Sequence, residues 1–340
     1  MRMLVVRPAR PDDIDALTEL AEASGPGMTN LPVDRSLLDE KIERSLRSFE
    51  AAIEAPGDES YLLLMEDLVE ARIVGSCAIF ASVGLERPFY SFRVINLTHT
   101  SQELNHYEPV EALQMVEDYR GSSEIATLFL TEDYRRNRNG RFLSRCRFLF
   151  LAEYPERFAS LVMAEMRGAL DENGHSVFWN KLGRQFINMD FTKADYLSSL
   201  GQYQFIADMM PKYPVYIRLL PKEAQEVIGV PHEATRPALE LLQREGFRFE
   251  GCVDVFDAGP TVHCPLDQIR TVRESRVAVL KATEESLSGP DYIVSNTRLP
   301  DFLIGRGRLS ATEPGEVVLE RDLAEVLGVS AGSTVRYAIL

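Results

Sequence analysis

The chain has 340 residues, 45% hydrophobic and 26% charged, which suits one elaborate globular domain or two ordinary ones. A formal net charge of −15 argues against a nucleic-acid partner, because phosphate recognition needs a basic surface. No run of 18 apolar residues occurs, so no membrane span is expected, and the apolar run in MRMLVVRPARPDD is too short for a secretory signal.

Leu4 to Arg7 reads as a first strand, followed by a turn in which Asp12 or Asp13 caps a helix. That helix carries Ile14, Leu17, Leu20 and Ala21 at helical spacing and ends at Gly25-Pro26-Gly27. A second helix is expected from about Asp34 to Ile53, with Leu37, Leu38, Ile42, Leu46 and Phe49 on one face. Tyr61 to Met65 and Ile73 to Ser82 read as a strand pair, and Phe89 to Thr98 as a further strand. His99 to Gly121 is expected to be irregular to helical.

Residues 123–147, SEIATLFLTEDYRRNRNGRFLSRCR, carry the strongest signal. Ile125 to Leu130 reads as a buried strand, Arg135-Arg136-Asn137-Arg138-Asn139-Gly140 as a basic loop, and Phe142, Leu143, Cys146, Leu149 and Phe150 as one face of a helix. Strand, basic loop and helix start can cradle a phosphate: successive N–H groups point at one anion and the helix dipole adds positive charge. A solvated turn is the alternative. On an acidic protein, one basic loop suggests a discrete anionic ligand. The acidic remainder suits a cationic substrate or is simply a solvated surface.

Ser160 to Arg167 reads as a strand and Asp171-Glu172-Asn173-Gly174 as a turn. Residues 176–225 contain short helices, among them Val177 to Phe186 and Lys193 to Leu200, with Trp179 in their core. Glu233 to Glu245 is a helix stopped by Gly246, and Phe247 to Phe256 alternates like a strand. Residues 282–290 form a candidate linker, and the last 50 residues read as short strands with one helix, Glu320 to Leu327. The four cysteines, Cys77, Cys146, Cys252 and Cys264, form no CxxC pair. No metal site is expected, and a reducing cytoplasm is the expected location.

The basic loop resembles the pyrophosphate loop of the GCN5-related N-acyltransferases, Gln/Arg-x-x-Gly-x-Gly/Ala, with Arg135 and Gly140 in register and Arg138 in place of the middle glycine. A more extensive resemblance is to the arginine N-succinyltransferase family. It is carried by GPGMTNLP (25–32), YLLLMED (61–67), GSSEIATLFL (121–130), AEMRG (164–168), FWNKLGRQFINMDFTKADYL (178–197), FIADMMPKYPVY (205–216), EVIGVPHEAT (226–235) and EGFRFEGCVDVFDAGPT (245–261). The resemblance implies an α+β fold, a GCN5-related N-acyltransferase-like mixed sheet flanked by helices. Residues 1–281 are expected to form that domain, with a helical insertion at about 176–225, and residues 282–340 a small β-rich subdomain.

It also implies an activity: transfer of succinyl from succinyl-CoA to the α-amine of L-arginine, with succinyl-CoA as co-substrate and no permanently bound cofactor. A homo-oligomer such as a dimer, or a hetero-oligomer with a paralogous subunit, is the family habit. A partner subunit without catalysis, or an acyltransferase for another amino acid such as ornithine, stays open.

In the resembled family the His of V-I-G-x-x-H is the catalytic acid/base, and here it is His232. An imidazole suits proton transfer near neutrality, and a helix-capping histidine is the alternative. Leu242 stands where many related enzymes have a tyrosine proton donor. The backbone of Leu128, Phe129 and Leu130 is expected along the acyl-CoA arm, with Arg135 and the amides of Asn139 and Gly140 on its phosphates. Arg167 is a candidate for a substrate carboxylate, or for a salt bridge with a neighbour. Asp254 is a candidate for the guanidinium, with Asp257 starting the turn, and Thr29 and Asn30 are candidate acceptor contacts.

Overall fold

The computed structural model describes residues 3–25, 28 and 30–340. β1 (Leu4–Pro8) leads into α1 (Ile14–Ser24), which buries Leu17, Leu20 and Ala21. Asp13 stands at the start of α1, but its carboxylate does not cap that helix. It accepts the Arg10 N–H at 2.7 Å and two bonds from Arg7, at 2.7 and 2.8 Å. α2 (Arg35–Glu50) has a side-chain cap in Asp34, which accepts the Leu37 N–H at 3.1 Å. β2 (Ser60–Asp67) and β3 (Arg72–Phe80) follow as the expected antiparallel pair.

β4 (Ser91–Ser101) and β5 (His106–Val116) form a hairpin paired from Ser91↔Val116 to Ser101↔His106. The expectation of irregular-to-helical structure over His99 to Gly121 is therefore wrong. Glu111-Ala112-Leu113-Gln114-Met115 has good helix formers, but pairing along the whole of β4 overrides that local preference. Next come β6 (Ser123–Leu130), α3 (Asn139–Glu153) and β7 (Leu161–Glu165).

The expected insertion is helical: α4 (Val177–Lys181), α5 (Gly183–Phe186), α6 (Phe191–Ser199), α7 (Gln204–Met209), the short β8 (Val215–Tyr216) and α8 (Lys222–Gln225). α9 (Arg236–Glu245), β9 (Arg248–Asp254) and β10 (Pro260–Pro265) complete the order strand, two helices, strands, strand–basic loop–helix, strand, helix, strand. That is the order expected of a GCN5-related N-acyltransferase-like α+β core. The chain ends with α10 (Arg270–Glu274), β11 (Arg276–Glu284), β12 (Asp291–Asn296), β13 (Ile304–Glu313), β14 (Glu316–Glu320), α11 (Arg321–Leu327) and β15 (Thr334–Ile339).

These elements fall into two compact units. The first runs to Ser82, resumes from Ser123 to Val162, and again from Pro265 to Leu340. Within it β1 pairs with β2, β2 with β3 and β3 with β6, all antiparallel. Leu17, Leu38 and Ile42 of the helices pack on Leu62, Leu64, Ala78 and Phe129 of the sheet. β12, β15, β11, β14 and β13 pair in that order, and β13 returns to β12, which closes a five-stranded barrel. Its β11–β14 pair is parallel and makes the sheet mixed. Leu280, Val294, Val317, Leu319, Leu327 and Val335 fill it.

The expected boundary at residue 282 falls inside β11. That strand pairs with β15 from Arg276 onward, so the barrel begins six residues earlier. α3 also departs from the expectation of one apolar face. It is buried from Phe142 to Ala152, including Arg145 and Arg147, because β3 lies against one side and α10 and β15 against another. Arg145 donates to Thr271 Oγ1 at 2.9 and 2.8 Å and to the Ile339 carbonyl.

The second unit runs from Val83 to Ser122 and from Met163 to Cys264. β10, β9, β4, β5 and β8 pair in that order, all antiparallel. The insertion packs on this sheet through Phe178, Trp179 and Phe191, with Trp179 stacked on Phe256 at 5.4 Å.

Leu319→Ala should destabilise the protein by about 2–5 kcal/mol, the range for truncating a buried leucine without collapse of the cavity. Denaturant unfolding would measure it; a loss below about 1 kcal/mol would show that the barrel interior readjusts.

Candidate active site

In the first unit the site begins with a fault in β6. Ser76 of β3 faces Phe129 and Ala78 faces Ala126, so Cys77 opposes both Thr127 and Leu128. This is a β-bulge, and Thr127 takes φ +57° to make it. The Ser76 hydroxyl holds it by donating to the Thr127 carbonyl at 3.1 Å. No glycine marks the position, so the sequence gives no warning of it. Leu128 is half-buried at the bulge, while Phe129 and Leu130 are buried.

The basic loop then turns through two consecutive left-handed residues, Asn137 at φ +53° and Arg138 at φ +62°. Arg138 occupies the position of the motif's middle glycine. It adopts the conformation a glycine takes freely, at a cost of roughly 1–2 kcal/mol for an L-residue. The turn is tied down from several sides. Arg135 donates from Nε to the Leu130 carbonyl at 2.8 Å, with its guanidinium 5.7 Å from the Phe129 ring centre. Asn139 is buried; its Nδ2 donates to the Tyr134 carbonyl at 3.1 Å and its N–H to the Arg136 carbonyl at 3.0 Å. The expected Asn139–phosphate amide contact is therefore not available, because that N–H already closes the turn.

Gly140 differs. It lies in the first turn of α3, where N–H groups lack intrahelical acceptors, and a Cβ built on it would meet nothing within 4 Å. Arg306 of β13 reaches across the sequence to donate to the Asn137 carbonyl at 2.6 Å and to Asn139 Oδ1 at 3.3 Å. Nothing local in the sequence links residues so far apart. Asn30 donates from Nδ2 to Glu124 Oε1 at 3.4 Å, and Thr29 lies outside the described residues. Chemically, this segment offers a half-exposed strand at the bulge, a helix start with open space, and exposed arginines. Those features suit an extended ligand ending in a polyanion.

In the second unit, β7 ends at Glu165 and the chain passes through Arg167 and Gly168 against the turn between β9 and β10. The approach is so close that a Cβ on Gly259 would lie 2.0 Å from the Met166 carbonyl oxygen and 2.5 Å from the Gly168 nitrogen. His232 is fixed beside this crossing. Its N–H donates to the Arg167 carbonyl at 2.7 Å, and Thr235 Oγ1 donates to the His232 carbonyl at 2.9 Å. Its Nδ1 caps the short 3-10 turn that opens α9, accepting the Ala234 N–H at 3.1 Å. With the Nδ1 lone pair so engaged, the neutral ring carries its proton on Nε2. Leu242 is buried and offers no proton.

Arg167 is not poised for a substrate carboxylate. Its guanidinium meets Asp195 at 3.0 and 3.3 Å and stacks on Phe191 at 4.9 Å. Its Nε lies 3.3 Å from Asp257 Oδ2 without hydrogen-bond alignment. Burial opposes the charge of Arg167, but Asp195 and Asp257 outweigh it and hold the group firmly protonated. Asp195, unremarked in the sequence, is its main partner.

Asp254 is not presented to a guanidinium either. Its Oδ1 accepts the N–H of Phe256 at 2.7 Å and of Asp257 at 2.9 Å, so Asp254, not Asp257, starts the turn. Asp257 Oδ1 accepts the Gly259 N–H at 2.8 Å. Burial and then the charge of Asp257 push the Asp254 carboxyl well above the usual carboxylate range.

The family described as "Arginine N-succinyltransferase beta subunit" matches residues 4–271, and its C-terminal domain matches residues 273–338. This chain belongs to the arginine N-succinyltransferase family. It is accordingly an acyltransferase. A relative named arginine N-succinyltransferase from Escherichia coli (strain 55989 / EAEC) is 40% identical over 99% of this chain and 98% of its own. One of the same name from Enterobacter sp. (strain 638) is 41% identical over the same shares. The solved structure of arginine/ornithine succinyltransferase subunit AI from Pseudomonas aeruginosa has a TM-score of 0.91 at 37% identity, covering 100% of this chain and 99% of that one. The C-terminal family match begins at 273, beside the first barrel strand at Arg276.

Gly140→Ala should fold at least as well as wild type, since alanine is favoured in a helix by about 1 kcal/mol. A carboxylate in its place, Gly140→Glu, should weaken CoA binding about tenfold or more, read by isothermal titration, because a like charge would then face the pyrophosphate at the helix start. Unchanged affinity would remove Gly140 from the phosphate site.

Asp254→Asn keeps an acceptor for both turn amides and removes a buried charge facing Asp257. A carboxyl with a raised folded pKa supports stability while protonated and loses that support as pH rises through its folded pKa. The melting temperature of Asp254→Asn relative to wild type should therefore climb with pH. Asp254→Ala should cost about 1–3 kcal/mol at any pH, because two amides lose their acceptor.

Proposed function

We propose that this enzyme transfers the succinyl group of succinyl-CoA to the α-amine of L-arginine, giving N2-succinylarginine and CoA. The observation that carries the reading is the match to the family along the chain, at 40% identity over 99% of its length to a relative bearing that name. The first unit supports it chemically. An acyl-CoA arm can hydrogen-bond along the bulged end of β6 at Leu128, Phe129 and Leu130, while Arg135 and the Gly140 amide suit its pyrophosphate.

His232 is the residue we propose at the chemistry, and its cap defines how it acts. A neutral imidazole with its proton on Nε2 is a hydrogen-bond donor, suited to negative charge developing on the thioester oxygen or the leaving sulfur. Abstracting a proton through Nε2 would need the other tautomer, and hence loss of the bond from Ala234. The leaving thiolate then takes its proton from solvent.

The proposal extends to a cytoplasmic location and to an oligomer, homomeric or with a paralogous subunit. In support, no helix among the described residues is long and apolar enough to cross a membrane, and the Pseudomonas aeruginosa relative is described as a subunit. That relative's description also names ornithine, which keeps ornithine as a second acceptor.

Thiol release from succinyl-CoA should require L-arginine, with L-ornithine and acetyl-CoA as comparison substrates. His232→Ala should lower it by about 100-fold or more, the effect of losing one donor to an oxyanion. Binding of succinyl-CoA without release in the presence of any acceptor would instead make the chain a partner subunit.

A further inference from the structure

A succinyl group carries a carboxylate at its far end, and Arg167, the cation expected to meet it, is taken up by Asp195 and Asp257. The buried arginines of the first unit differ in how they are partnered. Arg7 meets the carboxylates of Asp13 and Glu66. Arg157 donates from both terminal nitrogens, to Tyr61 Oη and to the carbonyls of Ser48 and Ala51, and Arg145 likewise uses both. Arg147 is the exception. It is 2% exposed, and its hydrogen bonds among the described residues both go to Ser144: Nε to the carbonyl at 3.2 Å and Nη2 to Oγ at 3.1 Å.

Nη1 of Arg147, with two N–H groups, has no partner among the described residues, and no carboxylate there pairs with the guanidinium. The titratable groups that face it are the thiols of Cys77 and Cys146, and burial pulls its affinity for a proton down. A buried cation without a counter-ion is among the costliest groups a fold can hold. A second unmet group lies beside it. The Thr127 hydroxyl, at the bulge of β6, is buried without a hydrogen-bond partner. Cys77 borders both: it faces Thr127 across the bulge, and its Sγ is 3.6 Å from that of Cys146, the residue before Arg147.

We propose that Arg147 and the Thr127 hydroxyl receive the carboxylate of the succinyl group and so select a dicarboxylic acyl chain. The inference rests on the acyl-transfer reading above and names the acyl end of that same site. The order along the ligand agrees. Arg147 follows Gly140 by seven residues, two turns of α3, which puts both on one side of the helix about 10 Å apart. Gly140 serves the pyrophosphate, Leu128 the thioester end of the arm, and an acyl chain continuing past Leu128 comes to Thr127 and the Cys77 side of α3. A carboxylate is the chemistry that both unmet groups call for. Nη1 and the hydroxyl supply donors, and the negative charge compensates the buried positive one. An acyl group with a methyl in place of the carboxylate would leave those donors unmet.

Equilibrium binding tests this without relying on turnover. Isothermal titration compares succinyl-CoA with butyryl-CoA, which has the same four-carbon chain but ends in a methyl, and with CoA itself. Wild type should prefer succinyl-CoA to butyryl-CoA by about 30-fold or more, the lower end for a buried charge pair. Arg147→Met, similar in length and uncharged, should bring the two acyl-CoAs to within about threefold of each other and leave CoA affinity within about threefold of wild type. Without ligand that variant should melt at or above the wild-type temperature, since the uncompensated charge is gone. Succinyl-CoA should then raise its melting temperature less than it raises that of wild type.

A wild type that binds both acyl-CoAs alike overturns the proposal. So does an Arg147→Met that keeps the preference for succinyl-CoA, or that loses affinity equally for all three ligands, the mark of a structural role. Should Arg147→Met fail to fold, Arg147→Lys decides, because a compact ammonium cannot form the guanidinium fork: a preference reduced by about threefold or more supports the site, and an unchanged one refutes it. Thiol release with L-arginine is read separately. Selective binding without release would sink the acyl-transfer reading and leave the carboxylate site standing; release without acyl selectivity would do the reverse.

Discussion

Left-handed backbone at residues that are not glycine is the constraint on which the first unit turns. Thr127, Asn137 and Arg138 each hold a conformation that costs an L-residue roughly 1–2 kcal/mol, and they occur within twelve positions on either side of one strand end. Such a cluster persists only where neighbours over-determine it. Ser76 anchors the bulge from β3, Arg135 folds back on Leu130, and Asn139 uses its side chain and amide to close the turn. Arg306 completes the set from the barrel. The C-terminal barrel thereby adds a long-range tie to a loop that its own residues also hold.

The second unit solves a related problem by different means. Two glycines let the chain after β7 cross the turn between β9 and β10 at a distance that no side chain tolerates. The crossing brings Arg167, Asp195, Asp254 and Asp257 into one cluster, in which three carboxylates share one guanidinium. The surplus negative charge is moderated by the raised affinity of Asp254 for a proton and by the turn amides it accepts. The whole assembly supports the backbone that holds His232, since the Arg167 carbonyl receives the His232 N–H. Residues with the chemistry of substrate ligands are therefore the frame of the histidine.

Helices α1, α2 and α9 are legible in the sequence because their apolar spacing and stop signals agree with their tertiary fate. The strand–loop–helix at 123–153 is legible for the same reason. Three features are not. The β4–β5 hairpin contradicts local propensity and is decided by cross-strand pairing. The bulge at Thr127 carries no turn residue. The partners of Arg167 and of the basic loop, Asp195 and Arg306, lie 28 and 167–169 positions away, where no periodicity reaches. The sequence of α3 suggests a single apolar face because Arg145 and Arg147 look like solvent residues, yet both are buried, Arg145 against α10 and β15. Charged residues on a helix are informative about exposure only when every neighbouring element is known.

The barrel, α3 and the insertion are packed with apolar groups, as ordinary stability requires. Three left-handed residues, Thr127, Asn137 and Arg138, a long-bonded buried glutamate and a histidine whose ring is committed to a cap lie on the strand, the loop and the helix start. Each is a feature that a sequence optimised only for folding would discard. A glycine at 138 would relieve the loop, a glutamine at 124 would remove a buried charge, and an asparagine at 232 would cap as well. A rigid anion cradle and an N–H aimed by its own tautomer are what the acyl transfer proposed above would draw from these features.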